Sequence, residues 1–256
     1  MNKKARFLNL QSTNFVTPHG LDNENHFSSA YDLAVLADYA LKNATFSNIV
    51  KTKTYTILIN GIPRVLSNTN ELLGNFQGIY GVKTGFTNGA NRCLVTSCRQ
   101  SDLDVICVVL GCDTKKNRTT DSIKLLNYTF NNYCLVNVKD VILSDFEDWR
   151  SSHKYYFSIY KGVFQDFEIY LNSDDFKFTH MAVKKVDLDN IKTEILCSAQ
   201  FEAPLSSNSL IGNISLKVNN THTLSIRILS AHNVSRKSIG DYLLYFFKKY
   251  VYFFRC

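Results

Sequence analysis

With 256 residues and 45% hydrophobic content the chain can bury a substantial core, and its length fits one large domain or two smaller ones. Charged residues at 20%, aromatics at 13% and only 3 prolines exclude a disordered, collagen-like or linker-rich chain. The formal charge of +7 suits an anionic partner such as phospholipid or wall polymer; no long Lys/Arg run occurs, which leaves nucleic acid as the weakest choice.

The first ten residues hold Lys3, Lys4 and Arg6 with no apolar stretch after them, so no secretory leader is legible. From Ser28 to Ala44, Leu33, Leu36, Ala37, Ala40 and Leu41 recur at helical spacing, and Ser29 with Asp32 matches a capping box. Thr54 to Ile59, Asn60-Gly61 and Ile62 to Leu66 predict a hairpin with a type I′ turn, Pro63 placing its second strand at an edge. Ile79 to Thr84 predicts a short strand flanked by Gly78, Gly81 and Gly85. Cys93 to Cys98 and Leu103 to Leu110, joined by Arg99 to Asp102, predict a second hairpin whose apolar latter strand is expected at the centre of a sheet. Thr119 to Tyr133 returns to helical spacing through Ile123, Leu126 and Phe130, with Thr119 or Thr120 as cap.

Beyond about residue 135 the pattern becomes short alternating stretches: Tyr156 to Tyr160, Phe167 to Leu171, Glu194 to Ala199, Ile214 to Val218 and Leu224 to Leu229. Asn219-Asn220-Thr221 supplies a turn between the last two, and the region is expected to be a separate all-β module. In the final stretch Ile239, Leu243, Phe246, Phe247, Tyr250 and Phe254 share one helical face, opposite Asp241, Tyr245, Lys248, Tyr252 and Arg255. At roughly sixteen residues with two lysines it is too short and too charged to span a bilayer. It is expected to lie in the plane of an anionic membrane surface, with docking on its own domain as the alternative.

The seven cysteines, Cys93, Cys98, Cys107, Cys112, Cys134, Cys197 and Cys256, are odd in number, so at least one cannot pair within the chain. Four of them sit in apolar runs rather than on the tight knuckles of a zinc site. The hairpin would set Cys93 opposite Val108 and Leu94 opposite Cys107, placing Cys93 and Cys107 on different faces. Neither zinc nor a disulfide is expected there, and the thiols are read as small buried hydrophobes.

Lys83-Thr84-Gly85, followed by Phe86 and Thr87, is the strongest chemical motif. An ammonium supplies positive potential for a substrate carboxylate, a hydroxyl donates to it, and glycine lets a peptide lie along the strand. The context resembles the low-molecular-weight serine-type D-alanyl-D-alanine carboxypeptidases, a penicillin-binding family. Asn14-Phe15-Val16-Thr17-Pro18-His19-Gly20-Leu21-Asp22 resembles their N-F-x-x-P-H-G-L-D, and Phe27 to Ala34 resembles the helix start after it. Gly81 to Thr87 resembles G-x-K-T-G-x-T, and Cys93 to Gly111 the family's hairpin ending in V-V-L-G.

The resemblance implies an α+β fold: part of a penicillin-binding transpeptidase domain over 1–135, a β-rich domain over 136–232 and an amphipathic anchor over 233–256. Carried over, Lys83 shapes the electrostatics, Thr84 and Thr87 hydrogen-bond the terminal carboxylate with help from Arg118, Gly85 gives access, and the Phe86 N–H is an oxyanion donor. Arg118 otherwise reads as a solvated charge near a helix start. His19 looks like a turn residue bonded locally. The implied partners are D-Ala-D-Ala peptides of peptidoglycan and, for the full-length form, β-lactams, at the extracytoplasmic face of the cytoplasmic membrane. No metal or organic cofactor is implied.

The family's S-x-x-K nucleophile and S-x-N triad lie upstream of P-H-G-L-D, where this chain has about a dozen residues, so it reads as a fragment starting at an internal methionine and inactive alone. Ser151 to Lys154 and Ser158 to Lys161 fit S-x-x-K only as strings, in β-patterned sequence after K-T-G, and Ser12-Thr13-Asn14 fits S-x-N too far along the family pattern. The alternative is a non-catalytic, membrane-docked wall-binding module.

Overall fold

The computed structural model describes residues 1–153, 157–163 and 167–253. Lys154, Tyr156, Phe254, Arg255 and Cys256, used above, lie outside these residues. The chain divides into two compact units, Met1–Cys134 and Leu135–Cys256.

The first unit opens with α1 (Asn2–Phe7) and α2 (Ala30–Leu41). Ser29 caps α2, its hydroxyl accepting from Asp32 N–H at 3.1 Å. The Asp32 carboxylate does not close the expected capping box: it is buried, and it accepts from Ser12 N–H at 2.8 Å and the Thr13 hydroxyl at 2.6 Å. A buried carboxylate needs such donors, and here they staple the segment after α1 onto α2. The helix stops at Leu41 rather than Ala44 because Asn43 caps a further helix, α3 (Ala44–Val50), through Phe46 N–H at 3.0 Å.

β1 (Thr54–Ile59) and β2 (Ile62–Ser67) form a two-stranded hairpin, with Asn60 and Gly61 at φ of 51° and 75°, as a type I′ turn requires. β3 (Ile79–Thr87), β4 (Asn91–Gln100) and β5 (Leu103–Cys112) make an antiparallel sheet in that order. Its register differs by two residues from the expected one: Leu94 faces Val109 and Thr96 faces Cys107. The turn is Ser101-Asp102 alone, with Ser101 at φ 51°, and a two-residue shift leaves each side chain on its original face.

In the order β3-β4-β5, β5 is an edge of this sheet and not its centre. Its apolar character answers to α2 and to α4 (Lys115–Asn132), which both pack on it; Cys107 and Val109 meet Leu126 of α4 in one buried cluster. Burial pushes the thiols of Cys98 and Cys107 up to about 11. α4 begins a turn earlier than expected because Thr114, not Thr119 or Thr120, is its cap, accepting from Asn117 N–H at 3.0 Å. This correction puts Arg118 inside the helix.

β6 (Tyr133–Asn137) carries the boundary between the units. The second unit is β-rich but not all-β, because it opens with α5 (Val138–Ser152), capped by Asn137 through Asp140 N–H at 3.3 Å. Val138, Ile142 and Phe146, four residues apart, form its buried stripe. After β7 (Ser158–Tyr160), β8 (Ile169–Leu171), β9 (His180–Lys184), β10 (Ile191–Cys197) and β11 (Gln200–Glu202) come the long strands β12 (Leu210–Val218) and β13 (Thr221–Ser230). The sheet order is β10-β12-β13-β8, and Ile214, Leu216, Ile226 and Ile228 close the core against α5. Asn219 and Asn220, both at positive φ, make the β12–β13 turn. Arg227 grips Asp175 with Nε at 2.9 Å and Nη2 at 2.8 Å, and these hydrogen bonds hold the Asp175 carboxyl down to about 2.

α6 (Ile239–Phe253) starts from a reciprocal cap: Ser238 N–H donates to Asp241 at 2.7 Å, and Asp241 N–H to the Ser238 hydroxyl at 3.3 Å. Ile239, Leu243, Phe246 and Phe247 are exposed. No helix among the described residues is long and apolar enough to cross a membrane.

Candidate functional site

β3 is an edge of its sheet, and Lys83 to Thr87 open onto a cleft of about 1250 Å³. An edge strand beside open space can take an extended peptide as an added strand. The cleft is lined by all six residues singled out for substrate binding: Lys83, Thr84, Gly85, Phe86, Thr87 and Arg118. Val82, Leu94 and Thr96 are buried beneath, so the strand is seated on a packed sheet. Lys83 is exposed, and its ammonium donates to the Thr84 carbonyl. Phe86 is exposed as well, and the Arg92 guanidinium stands 4.0 Å from its ring centroid.

A neighbouring part of the lining comes from Asn68, Thr69 and Glu71, which sequence reasoning passed over. Asn68 Oδ1 accepts from Asn70 N–H at 2.9 Å and Asn70 Oδ1 from Leu72 N–H at 3.2 Å, two successive Asx-type turns. Buried Asn70 donates to the Gly81 carbonyl at 2.9 Å and to Thr96 at 3.3 Å, which fastens this loop to the start of β3. Thr69 is thereby placed with its hydroxyl 2.6 Å from that of Thr84. The signal was present in Asn68-Thr69-Asn70, side chains that favour local backbone bonds over strand or helix.

Arg118 is 4% exposed, so it is not a solvated charge. Its Nη2 lies 3.6 Å from Glu71, and its Nε has no hydrogen-bond partner among the described residues. A buried guanidinium with an unused donor is costly unless an acceptor arrives.

Thr87 lines the cleft and is also engaged within the protein. Its hydroxyl accepts from Ala90 N–H at 3.0 Å and donates to Asp22, the aspartate of the P-H-G-L-D stretch. Asp22 also accepts from Gly89 N–H at 3.0 Å, and these bonds, the Thr87 one first, hold its carboxyl below the usual carboxylate range. Thr87 is thus tied into the β3–β4 turn, and Asp22 sets where that turn lies. His19 is bonded locally, Nδ1 accepting from Leu21 N–H at 3.2 Å with Thr17 Oγ1 also at 3.2 Å.

The chance motifs lie elsewhere. The Asn14 amide donates to the Asn25 carbonyl at 2.6 Å, while Ser12 and Thr13 serve Asp32. Ser158 is on β7 of the second unit, with Lys161 bound to Glu202 at 2.7 Å. Ser151 is in the last turn of α5 and not on a strand, so the opposite-face argument does not apply to it.

Residues 1–114 match the family model for peptidase S11, D-alanyl-D-alanine carboxypeptidase. The chain is similar to D-alanyl-D-alanine carboxypeptidase DacF of Bacillus subtilis, 30% identical over 226 residues, covering 85% of this chain and 53% of that protein. It is similar to D-alanyl-D-alanine carboxypeptidase DacD of Salmonella typhimurium, 33% identical over 222 residues, covering 84% and 52%. Penicillin binding protein 5 from Haemophilus influenzae shares its α+β fold with a TM-score of 0.64 and 25% identity, over 92% of this chain and 64% of that one. The chain spans about half the length of the curated relatives it matches. Residues 1–114 of the chain are thus similar to the peptidase S11 family of D-alanyl-D-alanine carboxypeptidases.

Proposed function

We propose that this chain supplies the carboxylate-binding wall of a serine-type D-alanyl-D-alanine carboxypeptidase of peptidoglycan maturation. The observation that carries this reading is Arg118, a buried guanidinium that lines the same open cleft as the K-T-G edge. In the proposed reaction a serine attacks the D-Ala-D-Ala peptide bond, free D-alanine leaves, and water hydrolyses the acyl-enzyme. Lys83 supplies positive potential, Thr84 and Arg118 hold the terminal carboxylate, and the Phe86 N–H faces the developing oxyanion. No serine of residues 1–256 is assigned as the nucleophile, and β-lactams are proposed as ligands of the form that carries one.

The 256-residue chain is expected to bind an N-acylated D-Ala-D-Ala peptide with a free carboxylate and to bind its C-terminal amide at least about tenfold more weakly, as loss of charge-assisted bonds implies. Equal binding of the two by calorimetry would overturn the carboxylate clamp. Labelled penicillin is expected to leave no covalent adduct, and an adduct mapped to any serine here would overturn the assignment of no nucleophile.

We also propose that α6 lies in the interface of an anionic membrane, on the extracytoplasmic face of the bacterial cytoplasmic membrane. Support comes from the exposed Ile239, Leu243, Phe246 and Phe247, which have polar water as their alternative. Vesicles rich in anionic lipid should sediment the chain, and a chain ending at Ser238 should stay in solution. Equal sedimentation of the two rules out this role for the helix.

A further inference from the structure

Arg118 shares the wall of the cleft with an acidic neighbour. Glu71 Oε2 lies 3.6 Å from Arg118 Nη2, and the Thr119 hydroxyl donates to the same oxygen at 3.0 Å. The two partners differ in setting: the Arg118 side chain is 4% exposed and that of Glu71 48%. At 3.6 Å the contact is an ion pair but is too long for a hydrogen bond, and Arg118 Nε has no acceptor among the described residues. The guanidinium is neutralised without being saturated, and its fork retains donors for a second anion.

We propose that Glu71 is the resident counter-ion of Arg118 and sets how tightly the cleft holds a ligand carboxylate. The inference rests on the reading of the cleft as a carboxylate clamp. With no ligand bound, Glu71 offsets the cost of a buried cation. An arriving carboxylate must share one guanidinium with Glu71, and like charges in one site repel. The Thr119 hydrogen bond keeps Glu71 from swinging clear, so the repulsion persists in the complex. Glu71 is thus a specificity-determining residue: it weakens every carboxylate ligand and leaves uncharged ends untouched.

The test titrates the full chain and its Glu71→Gln variant with N-acetyl-D-alanyl-D-alanine and with the C-terminal amide of that dipeptide. Glutamine keeps the shape and can still accept from Thr119, and the half-exposed position tolerates it. Glu71→Gln is expected to bind the carboxylate about fivefold more tightly, the scale of one solvent-screened charge pair, with amide binding unchanged. Glu71→Ala should move the same way. Unchanged or weaker carboxylate binding in both variants, when the parent chain distinguishes carboxylate from amide, overturns the role of Glu71 alone. A parent chain that binds both forms equally overturns the clamp reading instead, and binding of neither form by any of the three proteins overturns both.

Discussion

Replacing Arg118 with alanine is expected to weaken binding of a D-Ala-D-Ala peptide carboxylate by roughly ten- to a hundredfold, the size of a lost pair of hydrogen bonds to a charged group. Binding of the C-terminal amide should change little. The effect follows from burial, since a guanidinium held at 4% exposure inside α4 has its orientation fixed before the ligand arrives. Arg118→Lys should rescue only part of the loss, because an ammonium is a point charge without the planar fork that matches a carboxylate. Calorimetry with both peptide forms reads the result, and a far-ultraviolet melt confirms that the variant is folded. Carboxylate binding by Arg118→Ala at the parent affinity would remove Arg118 from the site.

The second large effect is in the other unit. Phe146→Ala should destabilise it by about 3–5 kcal/mol, the usual cost of emptying a buried aromatic site. Phe146 is 2% exposed and belongs to one cluster with Ile142, Ile214, Leu216 and Ile226. Leu143, next to Ile142 but 37% exposed, serves as the contrast, and Leu143→Ala should cost under about 1 kcal/mol. Urea unfolding followed by Trp149 fluorescence reports on both. If the two variants melt alike, α5 does not close this core.

Much of the first unit was legible because its signals are local. Asn60-Gly61 specifies its own turn, Ser29 its own cap, and Lys83-Thr84-Gly85 sits on the strand that its neighbours predict. The errors share a cause. The β4–β5 register moved by two because Ser101 adopts a positive φ that few residues other than glycine and asparagine signal. The α4 boundary moved because three threonines, Thr114, Thr119 and Thr120, can each cap, and only packing of Leu126 selects among them. α5 was passed over although Val138, Ile142 and Phe146 have helical spacing, since the flanking short strands dominate the pattern.

Within the site, the strand motif was readable and the loop fastened to it was not. The hold of Asn70 on Gly81 joins residues 11 apart, and that of Asp22 on Gly89 joins residues 67 apart; neither motif advertises the other. Arg118 illustrates the same limit, because the family resemblance implied a carboxylate ligand while its burial beside Glu71 is a tertiary fact.

The bond from Asp22 to the β3–β4 turn bears on when the cleft takes shape. Closing a loop of 67 residues costs chain entropy that no single hydrogen bond repays, so the latch can engage only after the sheet and α2 have brought its two ends near. The mouth of the cleft is therefore a late arrival in folding and an early departure in partial unfolding. A binding groove of this kind frays at its rim while the sheet beneath it stays intact.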